Sequence, residues 1–174
     1  MEDRVPFGGR IYWMCLAVLV VGRGLDFFST WLATPNLRLE GNPIARRLGW
    51  KWGTGVNVIL CGVFAAWPLC AIVIGTASCL VAAHNFQNAW LMRSLGEDNY
   101  QLWHLQRLRQ ASARLYLGCV LAQSLLIGAV GAAVAYFGDP GLISVGLGWG
   151  IVCYAFAVAF YTSLSVWRLR RVFG

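Results

Sequence analysis

The sequence predicts an all-α fold, a polytopic helical membrane protein with five transmembrane helices (four is the alternative) and two short helices at the membrane surface. Three observations predict it. Of the 174 residues, 59% are hydrophobic and only 12% charged, whereas an average soluble domain is about 25% charged. The apolar residues gather in runs close to the roughly 20 residues a helix needs to cross a bilayer. Clusters of turn-forming residues separate several of those runs. A soluble domain of this length buries only about 70% of the surface its unfolded chain exposes. That is too little for a mean hydropathy of +0.61, and disorder needs the opposite composition.

The elements follow in chain order. Glu2 and Asp3 offset Arg4 and Arg10, and the run Ile11–Gly22 leads into Arg23 and Asp26, not into a small-residue cleavage site. A cleaved leader is therefore not expected. Residues 11–33 form the first crossing, ended by Thr34-Pro35-Asn36. Asn42 is a good N-cap, Pro43 a good first helical residue and Gly49 a good terminator, so residues 43–49 read as a short surface helix. The stretch from Gly53 to Met92 is apolar almost throughout. As one helix it would be about 60 Å long, longer than the roughly 40–45 Å of a whole bilayer. Two crossings, 52–67 and 69–92, meet at Trp67-Pro68. This places Trp50, Trp52, Trp67 and Trp90 near interfaces, where Trp is favoured, and Pro68 in a first helical turn.

Residues 97–112 open with Glu97 and Asp98 and close towards Arg107, Arg109 and Arg114, a polarity that suits the helix dipole. Leu102, Leu105 and Leu108 recur on one side, so this segment reads as an interfacial helix. The last crossings are 113–137 and 142–167, split by Gly138-Asp139-Pro140-Gly141.

The net charge of +7 does not point to nucleic acid, because the basic residues lie between apolar runs and form no aromatic-basic patch. All of them except Arg4, Arg10 and Arg23 fall in segments 37–51, 93–114 and 168–174. Five crossings put these three segments on one face, which the positive-inside rule makes cytoplasmic, with the N-terminus out and the C-terminus in. Four crossings would place the basic 37–51 loop outside.

The six cysteines lie in apolar runs with no C-x-x-C and no metal-ligand spacing, so they read as small core residues. No metal and no cofactor is expected. Gly118, Ala122, Gly128, Ala132, Gly146, Gly150, Ala155 and Ala159 allow close helix approach, within the fold or against a second copy or another membrane protein. The bilayer itself is the first partner.

The candidate site lies among polar residues in the crossings. Ionisable groups there cost at least about 2.5–3.5 kcal/mol near the centre of the bilayer. Arg23 and Asp26 are three apart and can pair on one helix face, which Thr30 continues. Asn57 in the second crossing, and His84 and Asn88 in the third, fall at a similar depth, with Glu40 and Asn42 in the loop below. The candidate binding cluster is therefore Arg23, Asp26, Thr30, Glu40, Asn42, Asn57, His84 and Asn88. No catalytic residue is assigned, since H-E-x-x-H, G-x-S-x-G and P-loop patterns are all missing.

Asp26-Phe27-Phe28-Ser29-Thr30 followed by Glu40-Gly41-Asn42-Pro43 resembles the D-x-x-x-T … E-x-N-P pattern of a small bacterial integral-membrane family known only as a domain of unknown function. The resemblance covers roughly residues 11–92. It implies a bacterial plasma (inner) membrane, a polar residue opening the second crossing and an Asn in the third, here Asn57 and Asn85 or Asn88. The chain departs from that pattern where members often carry Lys in place of Asn57, and a basic connector in place of Trp67-Pro68.

The functional expectation is a non-enzymatic membrane protein whose polar cluster organises helices and binds an ion, a lipid headgroup or a partner helix. The alternatives are a transporter or channel component using Asp26 and a membrane-embedded enzyme acting on a lipid or peptide.

Overall fold

The computed structural model describes residues 4–110 and 112–173, with the side chains of Leu108, Arg109, Ala113 and residues 168–173 left aside. Glu2, Asp3 and Ala111 lie outside the described residues. The described residues form six helices joined by loops, α1 at Arg10–Ala33, α2 at Pro43–Phe64, α3 at Pro68–Leu95, α4 at Glu97–Gln110, α5 at Ala113–Phe137 and α6 at Leu142–Phe173.

Four helices are long and apolar enough to cross a membrane: α1, α3, α5 and α6. The expectation of a fifth such span at 52–67 is corrected. Asn42 does cap α2, its Oδ1 accepting from the backbone N–H of Ile44 (3.0 Å) and Ala45 (3.4 Å). The helix then breaks at Gly49, which takes φ 66° and ψ −174°, a conformation natural only to glycine. The break leaves a basic arm before it and an apolar arm of about 22 Å over residues 50–64. That arm is shorter than the ~30 Å hydrocarbon core.

The contact between α1 and α3 organises the molecule. The buried residues of α1 are Tyr12, Cys15, Leu19, Gly22, Ser29 and Ala33. Those of α3 are Ala71, Gly75, Ser78, Ala82 and Ala89. With half-buried Asp26 and Asn85 filling the gaps, both series advance by alternate steps of three and four. This seven-residue repeat lets two helices share one seam over their full length. Gly22 lies against Gly75, where an added Cβ would sit 3.0 Å from the Gly75 carbonyl oxygen. Further along, Arg23 reaches Ser78, Phe28 packs on Phe86 and Thr30 meets Asn85. Residue numbers rise together, so α1 and α3 are parallel.

A chain with parallel α1 and α3 must double back between them, and α2 does this along α1. Gly53 faces Phe27, Asn57 meets Arg23, and Tyr12 Oη donates to the Gly62 carbonyl (3.0 Å). At that end Tyr12, Cys15, Leu19, Cys61, Ala65, Ala66 and Ala71 form the buried core, and the Val5 amide donates to the Ala66 carbonyl (2.8 Å).

On the other side of α3, α6 packs parallel to it, Gly146 against Ile72 and Gly150 against Val73 and Thr76. Helix α5 runs antiparallel to α6, with Gly131 on Gly148 and Ile151 and Gly128 on Ala155. Four of the small residues singled out in sequence, Gly128, Gly146, Gly150 and Ala155, thus serve packing within the chain. Helix α4 is tied in by polar and aromatic contacts. Glu97 accepts from the amides of Asn36 (2.8 Å) and Arg38 (3.3 Å), and Arg38 pairs with Asp98. His104 stacks on Tyr100 and meets Tyr116 of α5 edge-on, with centroids 6.0 and 6.3 Å apart.

Candidate functional site

The site is built around Arg23 on α1. Its Nε donates to Asn57 Oδ1 on α2 at 2.7 Å. Its Nη1 donates to Asp26 Oδ2, one turn on, at 2.8 Å, and to Ser78 Oγ on α3 at 3.3 Å. Three helices therefore meet on one guanidinium. The side chain is 30% exposed and that of Asp26 14%, so the pair is largely withdrawn from its surroundings. Each partner has a local reason for its place. Asn57 is oriented by donating from Nδ2 to the Gly53 carbonyl at 2.8 Å. Phe27 lies under the guanidinium, 5.9 Å from ring centroid to Cζ, an arrangement that favours the cation. The glycine contact at Gly22 and Gly75, one step along the seam, brings the backbones near enough for Arg23 to reach Ser78.

One turn further, Asn85 Nδ2 donates to Ser29 Oγ (3.2 Å) and Thr30 Oγ1 (3.1 Å). Ser29 Oγ in turn donates to the Asp26 carbonyl at 2.9 Å. The two groups of bonds adjoin along the α1–α3 seam. Below them Thr34 Oγ1 accepts from the Leu39 amide (3.2 Å), and Trp50 Nε1 donates to the Pro35 carbonyl (2.8 Å), holding the loop against α2.

Of the residues singled out in sequence, Arg23, Asp26 and Asn57 are joined directly, and Thr30 joins through Asn85. Glu40 is half-buried in the loop and within electrostatic reach of Asp26. Burial pushes its carboxyl above the ordinary carboxylate value, and the hydrogen bond it accepts from the Asn42 amide (2.8 Å) partly counters this. Asn42 spends its side chain on the α2 cap. His84 and Asn88 stand apart. Asn88 Nδ2 donates to the carbonyl of His84 (3.1 Å), one turn back in its own helix, and the His84 ring hydrogen-bonds to none of the described residues.

Two further positions, Ser78 and Asn85, carry bonds at this site although depth and charge alone do not single them out. The signal that finds them is the seven-residue repeat in α3, where Ser78 and Asn85 are the polar members of a stripe of Ala and Gly. Among the described residues, no group of three His, Cys, Asp or Glu side chains is placed to hold a metal ion.

The fold and these bonds define a class, a helical membrane protein with four membrane-length helices and an ion pair inside the first. No known family, curated protein or solved structure matches the chain.

Proposed function

We propose that this is a small, non-enzymatic integral membrane protein in which Arg23 clamps α1, α2 and α3 together, with Asp26 supplying the counter-charge. The observation that carries the reading is the engagement of one guanidinium by three helices. A cation inside hydrocarbon is tolerated where it is paired and faces protein, and here the pairing is used to hold a broken helix, α2, onto α1. The ligand-binding side of the proposal rests on Asp26 and Glu40, two acids at the loop end of this clamp that would favour a cation or a cationic partner segment. The likeness of D-x-x-x-T … E-x-N-P to a small bacterial membrane family supports the choice of these residues and a bacterial plasma membrane as the location.

The experiment is the Asp26→Asn variant, read for both folding and cation flux in liposomes. A helix clamp predicts lowered thermal stability in detergent with no flux in either form. Full stability together with loss of a flux present in the wild type would overturn the clamp in favour of transport.

The proposed orientation has the N-terminus outside and the C-terminus inside. The loop after α1, the α3–α4 junction and the later part of α6 gather at one end of the bundle, where Glu97 binds the loop amides and Gly41 lies against Tyr161. Val5 and the α2–α3 turn lie at the other end. This grouping supports a shared, cytoplasmic face for the basic segments, as the positive-inside rule would have it. An Arg47→Cys variant should react with a membrane-impermeant maleimide only after the cells are opened. Labelling in intact cells would reverse the assignment.

A further inference from the structure

We infer that the protein self-associates through α5, as a parallel two-fold dimer in which Gln123 of one copy hydrogen-bonds to Gln123 of the other. Helix α5 packs on α6 along one side, through Gly128 and Gly131. On another side Cys119, Gln123, Leu126 and Val130 are all exposed. They advance by steps of four, three and four, the spacing of a seam that a second helix covers along its length.

Gln123 is the anomaly on that seam. It lies about 14 Å along the helix axis from Arg114, well inside a strongly apolar span; its neighbour Ser124 is polar but turned inward and buried, whereas Gln123 is exposed and its amide hydrogen-bonds to none of the described residues. Hydrocarbon offers an amide no partner, so an exposed one inside a span calls for a group from another chain.

The chemistry selects the occupant. A primary amide is both donor and acceptor and so complements itself. Two copies inserted in one membrane share an orientation, so their two-fold axis lies along the membrane normal, and the same helix from each copy runs parallel. Residues on the seam then meet their own counterparts, amide on amide, as a single buried amide does when it fixes the register of a parallel coiled coil. Gly118 and Ala122, four apart beside the seam and exposed, permit close approach of the backbones.

The chain carries its own reporter, because Cys119 is a free, exposed thiol one turn from Gln123. In phosphatidylcholine liposomes, copper-phenanthroline oxidation of the wild-type protein should give a disulfide-linked dimer. The dimer should vanish in Cys119→Ser and persist in Cys153→Ser and Cys79→Ser. By fluorescence energy transfer on dilution into lipid, Gln123→Leu should weaken association about tenfold, while Gln123→Asn stays within about threefold of the wild type. Gln123 is exposed and hydrogen-bonds to none of the described residues, so helix content should be unchanged in Gln123→Leu. A wild-type protein that is monomeric at high protein-to-lipid ratio overturns the proposal and assigns the seam to lipid or to a different protein. So does cross-linking that ignores Cys119, or association that ignores residue 123.

Discussion

At the residue scale, Arg23 and Asp26 behave as a unit whose removal in halves costs more than its removal whole. Taking one partner from a buried pair leaves the other charge uncompensated, a loss of about 3–5 kcal/mol in soluble cores, whereas replacing both with apolar groups is often near neutral. Arg23→Leu alone should therefore lower the thermal midpoint in detergent by more than the Arg23→Leu, Asp26→Leu double variant. Asn57→Leu should fall between the wild type and Arg23→Leu, since it removes one of the guanidinium's three partners. A double variant no more stable than the single would show that the pair does not act as a unit.

Glu40 gives a pH prediction at the same scale. Its carboxyl holds its proton more tightly in the fold than the ordinary value of 4.5, because of burial. The folded protein then binds more protons than the unfolded chain just above pH 4.5, so stability falls as pH rises through that interval and levels off once Glu40 is ionised. In Glu40→Gln this fall should be missing, while the side-chain acceptor for the Asn42 amide is kept. Parallel wild-type and variant pH curves of the thermal midpoint would refute the assignment.

At the element scale, the α1–α3 seam depends on backbone proximity at Gly22 and Gly75. A methyl group on Gly22 would meet the Gly75 carbonyl oxygen at 3.0 Å and its Cα at 3.2 Å. Backbone atoms cannot rotate away as a side chain does, so the helices must part. Gly22→Ala should cost about 1–3 kcal/mol, as overpacking of cores does, and should weaken the Arg23–Ser78 bond. Gly24, on the same helix, is the control, because a Cβ added there would meet nothing within 4 Å. Gly24→Ala should be neutral or slightly stabilising, because alanine is the better helix former. Equal effects at Gly22 and Gly24 would show that the close contact is not what holds the seam.

The same seam shows why parts of the site were legible in the sequence and others were not. Arg23 and Asp26 stand out because charge inside an apolar run is costly, and their spacing of three makes pairing a local matter. Asn57 could be placed by depth alone. Ser78 and Asn85 could not be told from their polar neighbours in that way. Choosing Asn85 over Asn88 requires the phase of α3 about its axis. The spacing Ala71, Gly75, Ser78, Ala82, Asn85, Ala89 contains that phase, but it acquires meaning only beside the matching repeat in α1. His84 and Asn88 are at the same depth but off the seam, and depth without phase does not separate them from Asn85.

At the scale of the whole molecule, the arrangement is a row: α1 on α3, α3 on α6, α5 outside α6, and α2 laid back along α1. Most of the outward-facing apolar side chains are left to lipid, including Trp13, Val20 and Val21 on α1, and Phe156 on α6. The basic loop, α4 and the later part of α6 collect at one end, where Glu97 and Asp98 hold the loop to α4 and Gly41 lies against Tyr161 of α6. An association seam on α5 would close the outer edge of the row.

The sequence by itself determined the apolar environment, the helical fold class and the positions of the breaks. These follow from composition, run length and turn chemistry, all of which are local or additive along the chain. Only the tertiary structure decided that the segment after the Gly49 break is a short return helix and not a fifth membrane-length span, and which polar residues meet. Those depend on how α2 lies back along α1 and on the relative rotation of α1 and α3. Both are fixed by contacts between segments distant in sequence, Asn57 on Arg23 and Gly22 on Gly75 among them, and apolar content alone carries no record of either.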